Sequence, residues 1–218
     1  MSIKDNIIQG MKELDEDRVL ENAVLAVAQD TDRLEILRWL NLGLNEVGKL
    51  YEQEEYYIIE LIMSEIIYKK VLDLEGFNIW VQQNADQPIG VIVLGTVNGD
   101  NHDIGKNIFK SMVSASGFRV IDLGVDVPSG LFIDTLRSEH PDILALSGIL
   151  TSAIEEMKTL IDEISAAGMR SDLKILAGGP ALTDAACRYI GADISVKDAG
   201  MGVEICKQWM KEKGRDNG

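Results

Sequence analysis

One short loop, residues 99–105, carries the side chains of this chain that are best suited to chemistry: Asp100, His102 and Gly105. A carboxylate placed two residues before an imidazole can accept a proton from one ring nitrogen, which fixes the tautomer and leaves the other nitrogen free. A histidine held in this way can serve as a general base, as a metal ligand or as the axial ligand of a cofactor metal.

The rest of the chain restricts the kind of metal. A protein zinc site needs three or four ligands, but His140 is the only other histidine, and Cys187 and Cys206 show no metal-ligand spacing. His140 is expected in a helix-to-strand turn at the opposite end of the sheet from His102. A protein-only zinc site is therefore not expected here, whereas a metal that brings its own equatorial ligands needs only one axial histidine, which this loop can supply.

The loop follows an apolar run at 89–95 and precedes an amphipathic segment at 104–116, which predict a buried strand and a helix. The same alternation continues along the chain, with further strands predicted at 118–123, 142–147, 173–177 and 193–196 and further helices at 129–139, 152–167, 182–190 and 200–212. This order predicts a five-stranded, parallel, Rossmann-like sheet with a flavodoxin-like strand order. Such sheets bind ligands at the carboxyl ends of their strands, where this loop lies.

Two other strand ends carry small and polar residues. Ser147, Ile149 and Thr151 follow the third strand, and Gly178 and Gly179 follow the fourth. Openings of this kind on neighbouring strands predict a deep slot that suits a nucleotide-like tail. Turn or N-cap roles for the hydroxyls, and a plain strand-to-helix turn for the glycines, remain open as alternatives.

Residues 1–85 show only helical periodicity. Four amphipathic segments with short connections predict an up-and-down four-helix bundle. The polar stretch at 82–88, which ends in Pro88, is predicted to be a linker. We therefore expect an all-α domain at 1–85 and an α/β domain at 89–218.

Charge and hydropathy exclude several classes of function. The formal net charge of −15 argues against a nucleic-acid partner, which requires a positive surface. The first ten residues show no signal-peptide pattern, and the most apolar helical stretch, 56–67, is interrupted by Glu60 and Glu65. We expect a cytoplasmic protein that does not bind membranes.

Three motifs at these strand ends resemble the DxHxxG, SxL and GG signature of cobalamin-binding domains that bind the corrinoid with its own base displaced. In this chain the motifs are Asp100-x-His102-x-x-Gly105, Ser147-x-Ile149 and Gly178-Gly179. The stretches 45–51 and 55–58 resemble the helical cap that precedes this domain in methionine synthase and in stand-alone corrinoid proteins. The resemblance covers roughly residues 1–212 and extends to the corrinoid proteins of methylamine, glycine betaine, methanol or methoxyarene demethylation.

The resemblance implies a role for each residue of the α/β domain that carries it. His102 would replace the benzimidazole of the cofactor as the lower axial ligand of cobalt, and Asp100 would hydrogen-bond its other ring nitrogen. The remaining residues would contact the corrinoid or line the slot for its nucleotide tail: Asn101, Asp103, Ile104, Gly105, Ser147, Ile149, Thr151, Gly178 and Gly179. Ala153 stands where methionine synthase has a serine that extends the carboxylate–histidine relay, which implies a shorter relay here.

In the helical domain the resemblance assigns Tyr51, Ile58 and Leu61 to the upper face of the corrinoid, where they would shield the methyl group. Large apolar residues at helical spacing are equally well explained as core residues.

The implied function is that of a methyl carrier. Cobalt would cycle between Co(I) and methyl-Co(III) as the protein moves between a substrate-specific methyltransferase and a second methyltransferase that serves tetrahydrofolate or a thiol cofactor. A reductive activator would be a further partner. The chain would be a non-autonomous component of the system, and its methyl donor would be chosen by the partner.

Three alternatives compete with the carrier. The small subunit of an adenosylcobalamin-dependent mutase shares the DxHxxG loop but usually lacks a helical cap. A cobalamin-based sensor needs an output module, for which no segment remains. A flavodoxin-like response module without a cofactor leaves the motifs at the third and fourth strand ends unexplained.

Overall fold

The computed structural model describes residues 1–74, 77 and 88–216. The predicted linker lies outside them except for Pro88. The chain divides into two compact units, Met1–Asn84 and Ala85–Gly218.

The first unit is a helical bundle. Its helices are α1 (Ile3–Glu13), α2 (Glu16–Ala28), α3 (Arg33–Glu52) and α4 (Ile58–Leu72). The helices begin at polar caps: Ser2 and Asp5 form a reciprocal capping box before α1, and Asp32 accepts a hydrogen bond from Leu34 N at 3.1 Å before α3. Buried apolar side chains from the four helices, such as Ile7, Ala23, Leu40 and Val71, form its core.

The second unit alternates strands and helices. Its elements are β1 (Val91–Thr96), α5 (Ile104–Ala115), β2 (Arg119–Asp122), α6 (Ser129–Glu139), β3 (Ile143–Ser147), α7 (Ser152–Ala166), β4 (Lys174–Gly178), α8 (Asp184–Ile190), β5 (Ile194–Val196) and α9 (Ala199–Asp216). The sheet is parallel throughout, with the strand order β2-β1-β3-β4-β5. The predicted fold class is therefore confirmed, and each strand begins and ends within two residues of the predicted bound.

The strand order determines where a ligand can bind. The chain direction across the sheet reverses between β1 and β3, and α5 packs with α9, whereas α7 packs with α6 and α8. The loops that follow β1 and β3 therefore diverge at the carboxyl ends of these strands. The crevice between the two loops is the usual ligand position of this fold. Buried apolar residues of the sheet, such as Val93, Leu144 and Ile175, form the rigid base beneath it.

Two general properties bear on the environment of the protein. Both cysteines, Cys187 and Cys206, are free and buried, and burial raises the pKa of the Cys206 thiol to about 12. Among the helices that the structure describes, none combines the length and the apolar character needed to cross a bilayer.

Candidate functional site

Asp100 lies at the centre of the crevice and is 1% exposed. Its Oδ1 accepts hydrogen bonds from the backbone N of His102 at 3.0 Å and from His102 Nδ1 at 2.7 Å. Its Oδ2 accepts from the backbone N of Ile149 at 2.7 Å and of Leu150 at 3.1 Å. Burial alone would raise the pKa of Asp100, but these hydrogen bonds outweigh it and the pKa is lowered. The carboxylate is therefore ionised at neutral pH.

The ionised carboxylate determines the tautomer of His102. Because Asp100 can only accept hydrogen bonds, Nδ1 of His102 must carry the ring proton. The other nitrogen, Nε2, has no hydrogen-bond partner among the described residues, and the side chain is half exposed. A further hydrogen bond, from the hydroxyl of the buried Thr96 to the carbonyl oxygen of His102 at 3.2 Å, fixes the backbone of the loop. The loop thus leaves Nε2 of His102 accessible to a ligand.

The carboxyl ends of four strands form one row across the sheet. Thr96 of β1 is paired with Ser147 of β3, Ser147 with Gly178 of β4, and Gly178 with Val196 of β5. The strand-end positions that the sequence singled out are therefore brought together, next to the loop that carries Asp100.

The hydroxyls at this edge are available to a ligand. Thr151 occupies the N-cap position of α7, but its side chain makes no capping hydrogen bond. Within the described part of the chain, the hydroxyl of Ser147 likewise has no partner. The N-cap explanation of Thr151 therefore does not account for its side chain.

The glycines of the site divide into two kinds. A Cβ on Gly179, whose φ is 152°, would lie 1.9 Å from the carbonyl oxygen of Gly148, so the packing of the two loops alone requires this glycine. A Cβ on Gly105 would meet no atom within 4 Å, and one on Gly178 would meet nothing closer than 3.8 Å. The space beside Gly105 is thus not filled by the described residues, and Gly178 has room for a Cβ at ordinary contact distance.

The other predicted site residues of these loops lie around Asp100 and His102. Asn101 and Ile149 are exposed, and Ile149 contributes its backbone N–H to Asp100. Asp103 precedes α5 without capping it and accepts instead from Asn107 Nδ2 at 2.8 Å. Ile104, the first residue of α5, is half-buried.

The carboxylate–histidine relay ends at Asp100, because no serine extends it. Ala153 is buried and offers no hydroxyl, and the second oxygen of Asp100 accepts from two main-chain amides instead. These donors cannot pass on a proton, so Asp100 only holds the imidazole.

The cap residues lie in the other unit. Tyr51 is in the last turn of α3 and 43% exposed, and Leu61 of α4 is half-buried. Ile58 begins α4, and its side chain lies outside the described residues. Their role remains a prediction.

Sequence reasoning assigned no role to the end of β2, which also borders the site. Lys106, 3% exposed, forms an ion pair with Asp122 at 2.8 Å, and Lys110 contacts the same carboxylate at 3.0 Å. Burial tends to raise the pKa of Asp122, but the hydrogen bonds from the two lysines outweigh this and the pKa is lowered. Asp126, four residues further on, contacts the Asp100 loop. The sequence contained a signal for this contact, because Asp122 and Asp126 lie at and after the end of the second strand, at the same edge of the sheet as Asp100.

The donor set suits one kind of cofactor. Within residues 1–74, 77 and 88–216, no three His, Cys, Asp or Glu side chains converge on a point that could hold a bare metal ion. A single accessible imidazole nitrogen, hydroxyls without a partner and the open space beside Gly105 fit a large cofactor whose metal already has its equatorial ligands. The residues present therefore fit a corrinoid.

Comparison with known proteins points to the same cofactor. Two family models described as B12 binding domains match residues 90–205 and residues 3–74. The chain is 32% identical to dimethylamine corrinoid protein 3 of Methanosarcina acetivorans, over 94% of each chain. It is 36% identical to a novel cobalamin-binding protein from Desulfitobacterium hafniense, whose crystal structure gives a TM-score of 0.65 and covers 96% of this chain and 98% of that one. The methanol:cobalamin methyltransferase complex of Methanosarcina barkeri shares the fold, with a TM-score of 0.56 and 23% identity over 96% of this chain and 80% of that one.

Proposed function

This chain belongs to the B12-binding family, and from that premise we propose that it is a corrinoid methyl carrier. The observation that carries the proposal is the free Nε2 of His102, which the buried Asp100 holds in the required tautomer. When bound, the cobalt of a corrinoid accepts a methyl group from a donor and gives it up to an acceptor. The chain's own residues bind the cofactor, orient it and exclude water.

Nε2 of His102 is the proposed lower ligand of cobalt, in place of the cofactor's benzimidazole. Asp100 would keep the proton on Nδ1 through a hydrogen bond of 2.7 Å, which leaves Nε2 to bind the metal and fixes the orientation of the ring. An imidazole that is not bound to metal could hold a proton on Nε2, and the adjacent carboxylate would stabilise the resulting charge.

The displaced nucleotide tail is proposed to enter the crevice between the β1 and β3 loops. The open space beside Gly105, the small side of Gly178 and the hydroxyls of Ser147 and Thr151 support this path. The contribution of Gly179 is indirect, since it permits the β3 and β4 loops to approach each other.

The helical unit is proposed to act as the cap over the upper face, with Tyr51, Ile58 and Leu61 as the shielding residues. A reactive cobalt centre requires exclusion of water and oxygen. The cap must also move, because donor and acceptor reactions use the same face in turn.

Two methyltransferases are the proposed partners: one specific for the methyl donor, and one that serves tetrahydrofolate or a thiol cofactor. The name of the dimethylamine corrinoid protein makes methylamines the first donors to test. A reductive activator is a further proposed partner. The two unpaired, buried cysteines support a reducing cytoplasm as the place of action.

The test of the carrier function is transfer of a labelled methyl group. Protein reconstituted with hydroxocobalamin is reduced and mixed with the methyltransferase that is encoded beside the gene of this protein. Separate reactions receive carbon-14-labelled dimethylamine, trimethylamine, glycine betaine, methanol or a methoxyarene. We expect one donor to label the protein-bound corrinoid, and the label to move to an acceptor when the second methyltransferase is added. His102→Ala should transfer at least about tenfold more slowly, since it lacks the ligand. Retention of corrinoid without labelling by any donor would contradict the carrier function but leave cofactor binding intact.

A further inference from the structure

The turn between β2 and α6 is held against the histidine loop by two hydrogen bonds of Asp126. Asp126 Oδ1 accepts from the backbone N of Gly99 at 2.7 Å, and the backbone N of Asp126 donates to the carbonyl oxygen of Asp100 at 3.0 Å. One residue therefore fixes both sides of the short segment from Gly99 to Asp100.

The backbone conformation supports the importance of this contact. Asp126 has a φ of 52° and Gly99 a φ of 78°. The left-handed region is unfavourable for a residue with a Cβ, and it persists only where the surroundings impose it. The conformation of Asp126 is what allows its side chain and its N–H to bind the same loop.

The turn that carries Asp126 is itself anchored. Asp122 Oδ1 accepts from the backbone N of Gly124 at 3.0 Å and from Nζ of the buried Lys106 at 2.8 Å. Residues 122–126 thus hold the histidine loop at two points, at Gly99–Asp100 before His102 and at Lys106 after it.

The carboxylate of Asp100 has little freedom to compensate for a shift of its backbone. Its two oxygens accept four hydrogen bonds between 2.7 and 3.1 Å, two of them from the β3–α7 loop. A displaced backbone would have to lengthen some of these bonds. The imidazole is the most easily released partner, since it is half exposed, whereas the amides of Ile149 and Leu150 belong to the backbone of another loop.

We propose that Asp126 is a positioning residue for the histidine ligand, which it orients through the backbone of Gly99 and Asp100. The relevance to cobalt rests on the proposed function, but the effect on the imidazole is a property of the protein alone. Loss of the Asp126 carboxylate frees the Gly99 N–H, the Asp100–His102 hydrogen bond weakens, and the proton of the ring is no longer confined to Nδ1.

Two substitutions of Asp126 distinguish the effect of its carboxylate from the effect of its left-handed backbone conformation. Asp126→Gly retains the left-handed conformation and removes the acceptor, whereas Asp126→Asn tolerates that conformation and keeps an oxygen that can accept from Gly99 N. The readout is the tautomer of His102 in corrinoid-free protein labelled with nitrogen-15 in histidine. The chain has only two histidines, and His140→Asn assigns the signals, because His140, at φ 44°, occupies a position that asparagine tolerates.

In the wild type we expect the Nδ1–H tautomer. In Asp126→Gly we expect the tautomer ratio to move about tenfold toward Nε2–H, because a charge-assisted hydrogen bond is weakened, and in Asp126→Asn we expect the wild-type ratio. Spectra are recorded at a temperature well below the midpoint of thermal unfolding of each variant, so that a lower stability does not affect the tautomer ratio. A wild-type ratio in Asp126→Gly, or the same change in both variants, would overturn the proposal. Neither result depends on whether the protein carries a corrinoid.

Discussion

Replacement of Asp100 by alanine is expected to lower the free energy of unfolding by about 3 to 5 kcal/mol, one of the largest effects of any single substitution in the α/β unit. The backbone N–H groups of His102, Ile149 and Leu150 would lose their acceptor. A buried donor left without a partner costs roughly 1 to 3 kcal/mol, and these three hydrogen bonds are partly buried, so solvent and local relaxation recover part of the sum. Urea denaturation of the corrinoid-free protein, followed by circular dichroism, measures this change.

Asp103→Ala is the matched control. It removes a carboxylate three residues from Asp100 that accepts a hydrogen bond from Nδ2 of Asn107 at 2.8 Å. We expect a loss of about 1 kcal/mol or less, since a single partly exposed hydrogen bond is removed. Equal losses for the two variants would show that the Asp100 network does not stabilise the fold.

The same carboxylate predicts a dependence on pH. Because the pKa of Asp100 is lowered in the folded protein, its ionised form stabilises the fold above the unfolded-state pKa of about 3.9. That contribution is lost as the pH falls through the lowered folded pKa. The difference in unfolding free energy between the wild type and Asp100→Asn should therefore have its full value at neutral pH and decrease as the pH falls below the unfolded-state pKa.

The second large effect is expected from Gly179→Ala. The new Cβ would lie 1.9 Å from the carbonyl oxygen of Gly148, at a φ of 152°, so that the β3 and β4 loops must separate. We expect a loss of about 3 kcal/mol or more, from overpacking and backbone strain together. Because the displaced β3 loop also carries the two amides that bind Asp100, corrinoid retention on gel filtration should be lost as well.

Gly178→Ala provides the control at the neighbouring position. Its Cβ would meet only ordinary contacts at 3.8 and 4.0 Å, so the free energy of unfolding should change by less than about 1 kcal/mol. If the nucleotide tail passes there, the added methyl group should weaken corrinoid binding by about tenfold or more. Unchanged affinity for corrinoid would place the tail elsewhere.

Much of this architecture was accessible from the sequence because its determinants are local. The apolar runs and the helical periodicity predict the sequence of strands and helices, and their alternation predicts a parallel sheet. Asp100 and His102 are two residues apart, so their hydrogen bond is a short-range feature that the spacing itself suggests.

The remaining partners of the site are not local, and several of them have no side-chain signature. The second oxygen of Asp100 binds main-chain amides 49 and 50 residues further along the chain, and any residue type could supply them. The role of Asp126 depends on its left-handed backbone and on a contact with Gly99, 27 residues away. A ligand-slot role for Gly179 remains a prediction, and the structure adds a second reason for a glycine there, the approach of the Gly148 carbonyl oxygen, which spacing cannot reveal.

The central claim is that His102, and not the cofactor's own base, is the axial ligand of cobalt. The most direct test is electron paramagnetic resonance of the Co(II) state, with cobalamin whose benzimidazole carries nitrogen-15. The wild type and the control His140→Asn should show a triplet splitting from one unlabelled protein nitrogen, and His102→Ala should lack it. A doublet from nitrogen-15 in the wild type, or a triplet that survives in His102→Ala, would contradict the account.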